Sequence, residues 1–80
     1  MNFTIVAVES GKSIRVVDRI ASREVFNGFL DPGTPQPVSV ASNDGKVGNI
    51  DVYKALQGAP NLVHEVDYDV ENGEVMNIDD

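Results

Sequence analysis

Along LVHEVDYDVENGEVMNID, residues 62–79, apolar and acidic side chains alternate almost without a break. Alternation with a period of two is what a strand with one buried face requires, so the segment is restricted to half-buried β-structure. Glu71-Asn72-Gly73 divides it into two strands. A two-residue Asn72-Gly73 loop would pair Val70 with Val75 and put Met76 and Ile78 on the face of Asp67 and Asp69. A three-residue loop closed by Gly73 in the left-handed conformation instead pairs Val70 with Glu74, Tyr68 with Met76 and Val66 with Ile78. Only this second register separates the faces. It turns Leu62, His64, Val66, Tyr68, Val70, Met76 and Ile78 inward and leaves Glu65, Asp67, Asp69 and Glu71 outward.

Two further segments carry the same signature. FTIVAVESGKSIRVVD, residues 3–18, predicts a hairpin around Glu9-Ser10-Gly11, with Val6 opposite Ile14 and Thr4 opposite Val16. Both of its faces are apolar, which suits a hairpin covered on two sides. PVSVASNDGKVGNIDVY, residues 37–53, predicts a hairpin around Asn43-Asp44-Gly45, with Val40 facing Gly48 and Val38 facing Ile50. Its return strand DGKVGNID, residues 44–51, matches NGEVMNID, residues 72–79, in Gly, Val, Asn, Ile and Asp. Two copies are compatible with duplication or with convergence on one good solution.

Between these segments the pattern changes. In SREVFNGFL, residues 22–30, Ser22 is placed to cap a helix whose Val25, Phe26, Phe29 and Leu30 form one stripe, and Asp31-Pro32-Gly33 would end it. Asn27-Gly28 and the β-preferring Val25, Phe26 and Phe29 pull toward a strand instead. The helix is the expectation. DPGT, residues 31–34, has the composition of a type II turn, and Pro35 and Pro37 stiffen the loop beyond it. VYKALQGAP, residues 52–60, predicts a short helical turn near 53–58 stopped by Gly58. The expected fold is therefore α+β. It comprises a single domain over residues 1–80, a mainly antiparallel sheet built from three β-hairpins, and one helix at about 22–30 packed on it.

Charge narrows the function classes. The chain has a formal net charge of −7. Residues 65–80 carry Glu65, Asp67, Asp69, Glu71, Glu74, Asp79 and Asp80 and no base. Phosphate affinity rests on clustered Lys and Arg, so direct nucleic-acid binding is not expected. With no cysteine, disulfides, zinc thiolates and thiol chemistry are excluded. Met1-Asn2-Phe3 runs straight into strand pattern without a basic region and apolar core, and no apolar run approaches the ~20 residues of a membrane span. A soluble, cytoplasmic protein is expected.

Catalytic signatures are missing. His64 is the single histidine and falls on the apolar face, where an edge or partly buried structural role is the ordinary one. There is no phosphate-cradling glycine loop, nucleophile elbow or HExxH. An enzyme is not expected, and no cofactor or metal site is assigned. One stretch touches calcium chemistry: DGKVGNID followed by VYKAL resembles the second half of a dockerin-type calcium repeat. Asp44 and Gly45 fall at the fifth and sixth places of that loop and Asp51 at the twelfth. Val40 stands where the family has its first aspartate, and Ser42 holds the third place. The resemblance implies at most a degenerate calcium-binding module.

The outward acidic row is the most specific surface. Alternate strand residues project on one side about 6.6–6.8 Å apart, so Glu65, Asp67, Asp69 and Glu71 would form a line of negative charge, with Asp79 beside it on the neighbouring strand. A solvated face that keeps a sheet edge from aggregating is the plain explanation. The sharper one is a docking surface for a protein with a basic surface, imitating a row of phosphates. The expected function is thus a small non-enzymatic regulator or inhibitor, of the sort encoded by phages. The competing class is an assembly subunit that oligomerises, a homodimer included, through exposed strand edges.

Overall fold

The computed structural model describes residues 1–56 and 61–80. It contains seven strands: β1 (Asn2–Ala7), β2 (Lys12–Asp18), β3 (Arg23–Leu30), β4 (Gln36–Ser39), β5 (Val47–Ala55), β6 (Asn61–Glu71) and β7 (Val75–Ile78). They form a three-stranded sheet, β4-β1-β7, and a four-stranded sheet, β3-β2-β5-β6. The regular runs of the strands turn alternate residues toward the opposite sheet. Phe3, Ile5, Ala7, Val38, Met76 and Ile78 of the smaller sheet join Ile14, Val16, Leu30, Ile50, Val52 and Val70 of the larger in one core. This is a two-layer β-sandwich. Among the described residues no helix is long and apolar enough to cross a membrane.

The α+β expectation is overturned, since the described residues contain strands and no helix. Residues 23–30 are strand β3, paired antiparallel with β2. A helix would hold Phe29 and Leu30 on one stripe, whereas here Phe29 is 64% exposed and Leu30 is buried, as neighbours on a strand must be. Ser22 has φ 54°, in the left-handed region, and so lacks the extended backbone of a helix cap. The β-branched and aromatic side chains prevail because a second sheet is present to cover them. The helical turn expected near 53–58 is likewise replaced at its start, where Tyr53, Lys54 and Ala55 complete β5. Its remainder falls partly on residues 57–60, outside the described residues.

None of the three expected hairpins forms. β1 pairs with β4 and, in parallel, with β7, while β2 pairs with β3 and β5. β4 and β5 lie in different sheets, as do β6 and β7. Each anticipated turn is instead a corner at which the chain changes sheets. The local turn chemistry holds, for Gly45 (φ 76°) and Gly73 (φ 83°) are left-handed and Glu74 N–H donates to Glu71 O at 3.1 Å. At the first corner Glu9, with φ 68°, takes the left-handed position expected of Gly11. In DPGT, Gly33 is left-handed and Thr34 N–H donates to Asp31 O at 3.2 Å, as a type II turn requires.

A corner and a hairpin place the same alternation inward, so the pattern itself cannot separate them. Val40 does face Gly48, but across the sandwich, where a Cβ on Gly48 would stand 3.0 Å from Val40 Cγ2. The repeated octapeptides likewise keep their pattern in different sheets. Val47 and Val75 are exposed, Gly48 and Met76 buried, and Ile50 and Ile78 wholly buried.

Polar groups tie the corners to the core. Asp18 is buried, and its carboxylate accepts the N–H groups of Ile20 (3.0 Å), Ala21 (3.1 Å) and Ala41 (2.7 Å). A single side chain thereby fixes both the β2–β3 turn and the chain leaving β4. Three amide donors offset the cost of burying it.

Candidate functional site

The acidic residues reach the surface through β6, an edge strand that is longer than its partner. Ile50 opposes Tyr68, Val52 opposes Glu65 and Tyr53 opposes Val63, so β6 carries two extra residues where β5 runs straight. These are bulges, and Asp67 lies in one with φ 51°. Strict alternation therefore stops. Tyr68 and Val70 turn inward as expected, but Val66 is 52% exposed and Leu62 38% exposed.

The bulge gathers a cluster rather than a line. Asn49, on the outer face of β5, divides its amide hydrogens between Asp67 Oδ1 and Asp69 Oδ1, both at 2.9 Å. The N–H of Asp67 donates to Asp51 Oδ1 at 2.8 Å. Arg19 reaches across from the end of β2, with Nη1 3.1 Å from Asp51 Oδ1 and Nε 3.7 Å from Asp67 Oδ1. Two carboxylates, Asp51 and Asp67, thus face one guanidinium. Asp69 meets only the neutral amide and, among the described residues, forms no ion pair.

The five expected site residues do not all come together. Asp67 and Asp69 come together as anticipated. Glu71 continues the outer face at the end of β6, opposite Val47. Glu65 is offset by the bulges and stands opposite the inward Val52. Asp79 does not join, because β7 belongs to the other sheet. Its backbone carbonyl accepts Lys54 Nζ at 2.7 Å, and its carboxylate lies 3.6 Å from His64 Nδ1. His64 is largely buried there, in the edge role expected of it.

Asn49, Asp51 and Arg19 were absent from the expected site. Asn49 and Asp51 flank Ile50 in the repeated Asn-Ile-Asp, whose outward members could have been paired with the β6 acids had β5 and β6 been recognised as neighbours. Nothing in the sequence marks Arg19.

Below the cluster, Tyr68 donates its hydroxyl to Glu74 Oε2 at 2.6 Å, and Glu74 Oε1 accepts the N–H of Glu71 at 3.1 Å. The bond to Glu74, partial burial and the charges of Glu74, Glu65 and Glu71 push the tyrosine up to about 12. Beside Asp69 an open depression of about 400 Å³ lies between the β2–β3 turn and the loop before β5, lined by Ile20, Val47, Gly48 and Asn49.

The calcium-loop positions are otherwise engaged. Val40 is in the core. Asp44 Oδ1 accepts Lys46 N–H (2.8 Å), Val47 N–H (3.0 Å) and Ser42 Oγ–H (3.0 Å). The two amide bonds, with the hydroxyl next, hold its carboxyl below the usual carboxylate range. Among the described residues no three His, Asp or Glu side chains converge as a metal site would need.

The chain matches no protein-family model, no curated protein and no solved structure. Fold and site define a small two-sheet β-sandwich with an acidic cluster on one outer face.

Proposed function

We propose that this sandwich is a non-enzymatic protein-binding regulator or inhibitor that engages a basic partner surface through Asp67, Asp69 and Glu71. The observation that carries the reading is the Asn49 bridge, which holds Asp67 and Asp69 side by side in spite of their like charge. A solvated face needs no such bridge, whereas a docking surface gains from acids fixed before the partner arrives. Asp69 keeps free acceptor positions for a guanidinium or ammonium. The adjoining depression offers Ile20 and Val47 to the aliphatic stem of the same side chain. Imitation of nucleic-acid phosphates by this cluster belongs to the same reading, as does a basic partner that binds nucleic acid.

The test is capture from an extract of the native host on immobilised protein. Wild type should retain a basic protein that is released as salt rises, and Asp67→Asn/Asp69→Asn protein with an unchanged circular-dichroism spectrum should not. Retention of the same protein by both at equal strength would refute the proposal.

A further inference from the structure

A sandwich of two open sheets has four edges, and an unprotected edge invites another strand. Three of them here are blunted. β4 contains Pro37, which has no N–H to donate, and follows Pro35. β7 spans only Val75–Ile78. β6 is bulged twice and carries Glu65, Asp67, Asp69 and Glu71, so a second β6 beside it would be repelled.

β3 is different. It has one irregularity, opposite Val16 and Val17, and beyond it Phe26–Leu30 pairs with β2 residue for residue. This run holds no charge, no proline and no further bulge. Its exposed aromatic side chain is also held in place. The Phe29 ring lies over Gly11, where a Cβ would come within 2.6 Å of Phe29 Cζ, so the glycine leaves room for the ring to rest on the sheet while staying 64% exposed. An aromatic ring so positioned gives up little conformational entropy on being covered.

We infer that the free edge of β3 pairs antiparallel with β3 of a second copy of this chain, about a two-fold axis at Gly28. The occupant is a second copy because the run is uncharged, so the self-repulsion that guards β6 is missing. The register with Gly28 opposite its equivalent uses all five regular residues, setting Phe26 against Leu30 and Asn27 against Phe29. The two Phe29 rings then lie diagonal to one another, within reach of aromatic contact at about 7–8 Å between backbones. The product is one eight-stranded sheet, β6-β5-β2-β3 continued in reverse order by the second copy. It leaves the two acidic clusters at opposite margins, about 34 Å apart at seven spacings of ~4.8 Å.

Sedimentation equilibrium on the full chain tests this. Wild type should show a reversible monomer–dimer equilibrium. Phe29→Lys should weaken it by roughly tenfold or more, with a cooperative melting transition retained in dilute solution. Val63→Lys on β6 should leave it intact. A wild type that stays monomeric up to about 1 mM would overturn the inference. So would a Phe29→Lys protein that dimerises as before, or a dimer lost through Val63→Lys alone. Capture of a basic partner is read separately, so failure of the dimer does not bear on the proposed function.

Discussion

Lys12 Nζ lies 2.7 Å from Asp80 Oδ1 at the end of a side chain with no exposed surface. The same ammonium donates to the carbonyls of Val8 (2.8 Å), Ser10 (2.9 Å) and Ile78 (3.2 Å). One buried cation thereby fastens the β1–β2 corner, in the strand that opens the larger sheet, to the end of β7 in the smaller one. Lys12→Met keeps the aliphatic volume and leaves those carbonyls without a donor. It should cost about 2–4 kcal/mol in urea unfolding.

Asp80 gives the same contact a pH signature. Lys12, and then the Ser10 hydroxyl, hold its carboxyl below the ordinary aspartate value of 3.8. A carboxyl depressed in the folded state contributes stability above its unfolded value and loses it as pH falls through the folded one. Asp80→Asn should therefore be less stable than wild type at neutral pH. The gap should close below about pH 4, as followed by denaturation at successive pH values.

Tyr68 and Glu74 give the opposite sign at the alkaline end. Because the folded tyrosine is raised to about 12 from an ordinary 10.0, its contribution is complete below pH 10 and is lost as pH rises toward 12. In a Tyr53→Phe background, ultraviolet titration should place the remaining phenol near that upper value. Glu74→Gln should bring it down by about one unit or more, since the carboxylate supplies the leading cause.

The bulge at Asp67 is tested by comparing two substitutions at one position. Both Asp67→Gly and Asp67→Ala lose the Asn49 bond, but only glycine takes φ 51° without a steric penalty. Asp67→Gly should be the more stable by about 1 kcal/mol in thermal unfolding. Equal stability would mean that β6 relaxes out of the bulge.

The in-and-out code of individual strands is legible in the sequence. Alternation alone turns Val70, Met76 and Ile78 inward, and they are core residues. Turn composition alone marks Gly45 and Gly73 as left-handed, and they are. Partnership between strands is not legible. A glycine turn between two alternating segments is equally consistent with a hairpin and with a sheet-changing corner, and only the presence of a second sheet decides between them. The parallel pairing of β1 with β7 sets Thr4 against Val75, a relation with no local signal at all. The bulges in β6 are hidden for a related reason. They answer to the straight run of β5, and without that neighbour Val66 keeps an inward place in the pattern. Residues 22–30 show one local signal losing to another, since the apolar spacing fits a helix and the side-chain types fit a strand.

The proposed function rests on the carboxylates fixed at Asp67 and Asp69 binding a basic partner. The most direct measurement is the dissociation constant of the captured protein for wild type and for Asp67→Asn/Asp69→Asn across a salt series. Wild-type affinity should fall steeply with salt, and the double variant should show a shallower slope from a weaker starting point. Equal affinities with parallel slopes would contradict the proposed function.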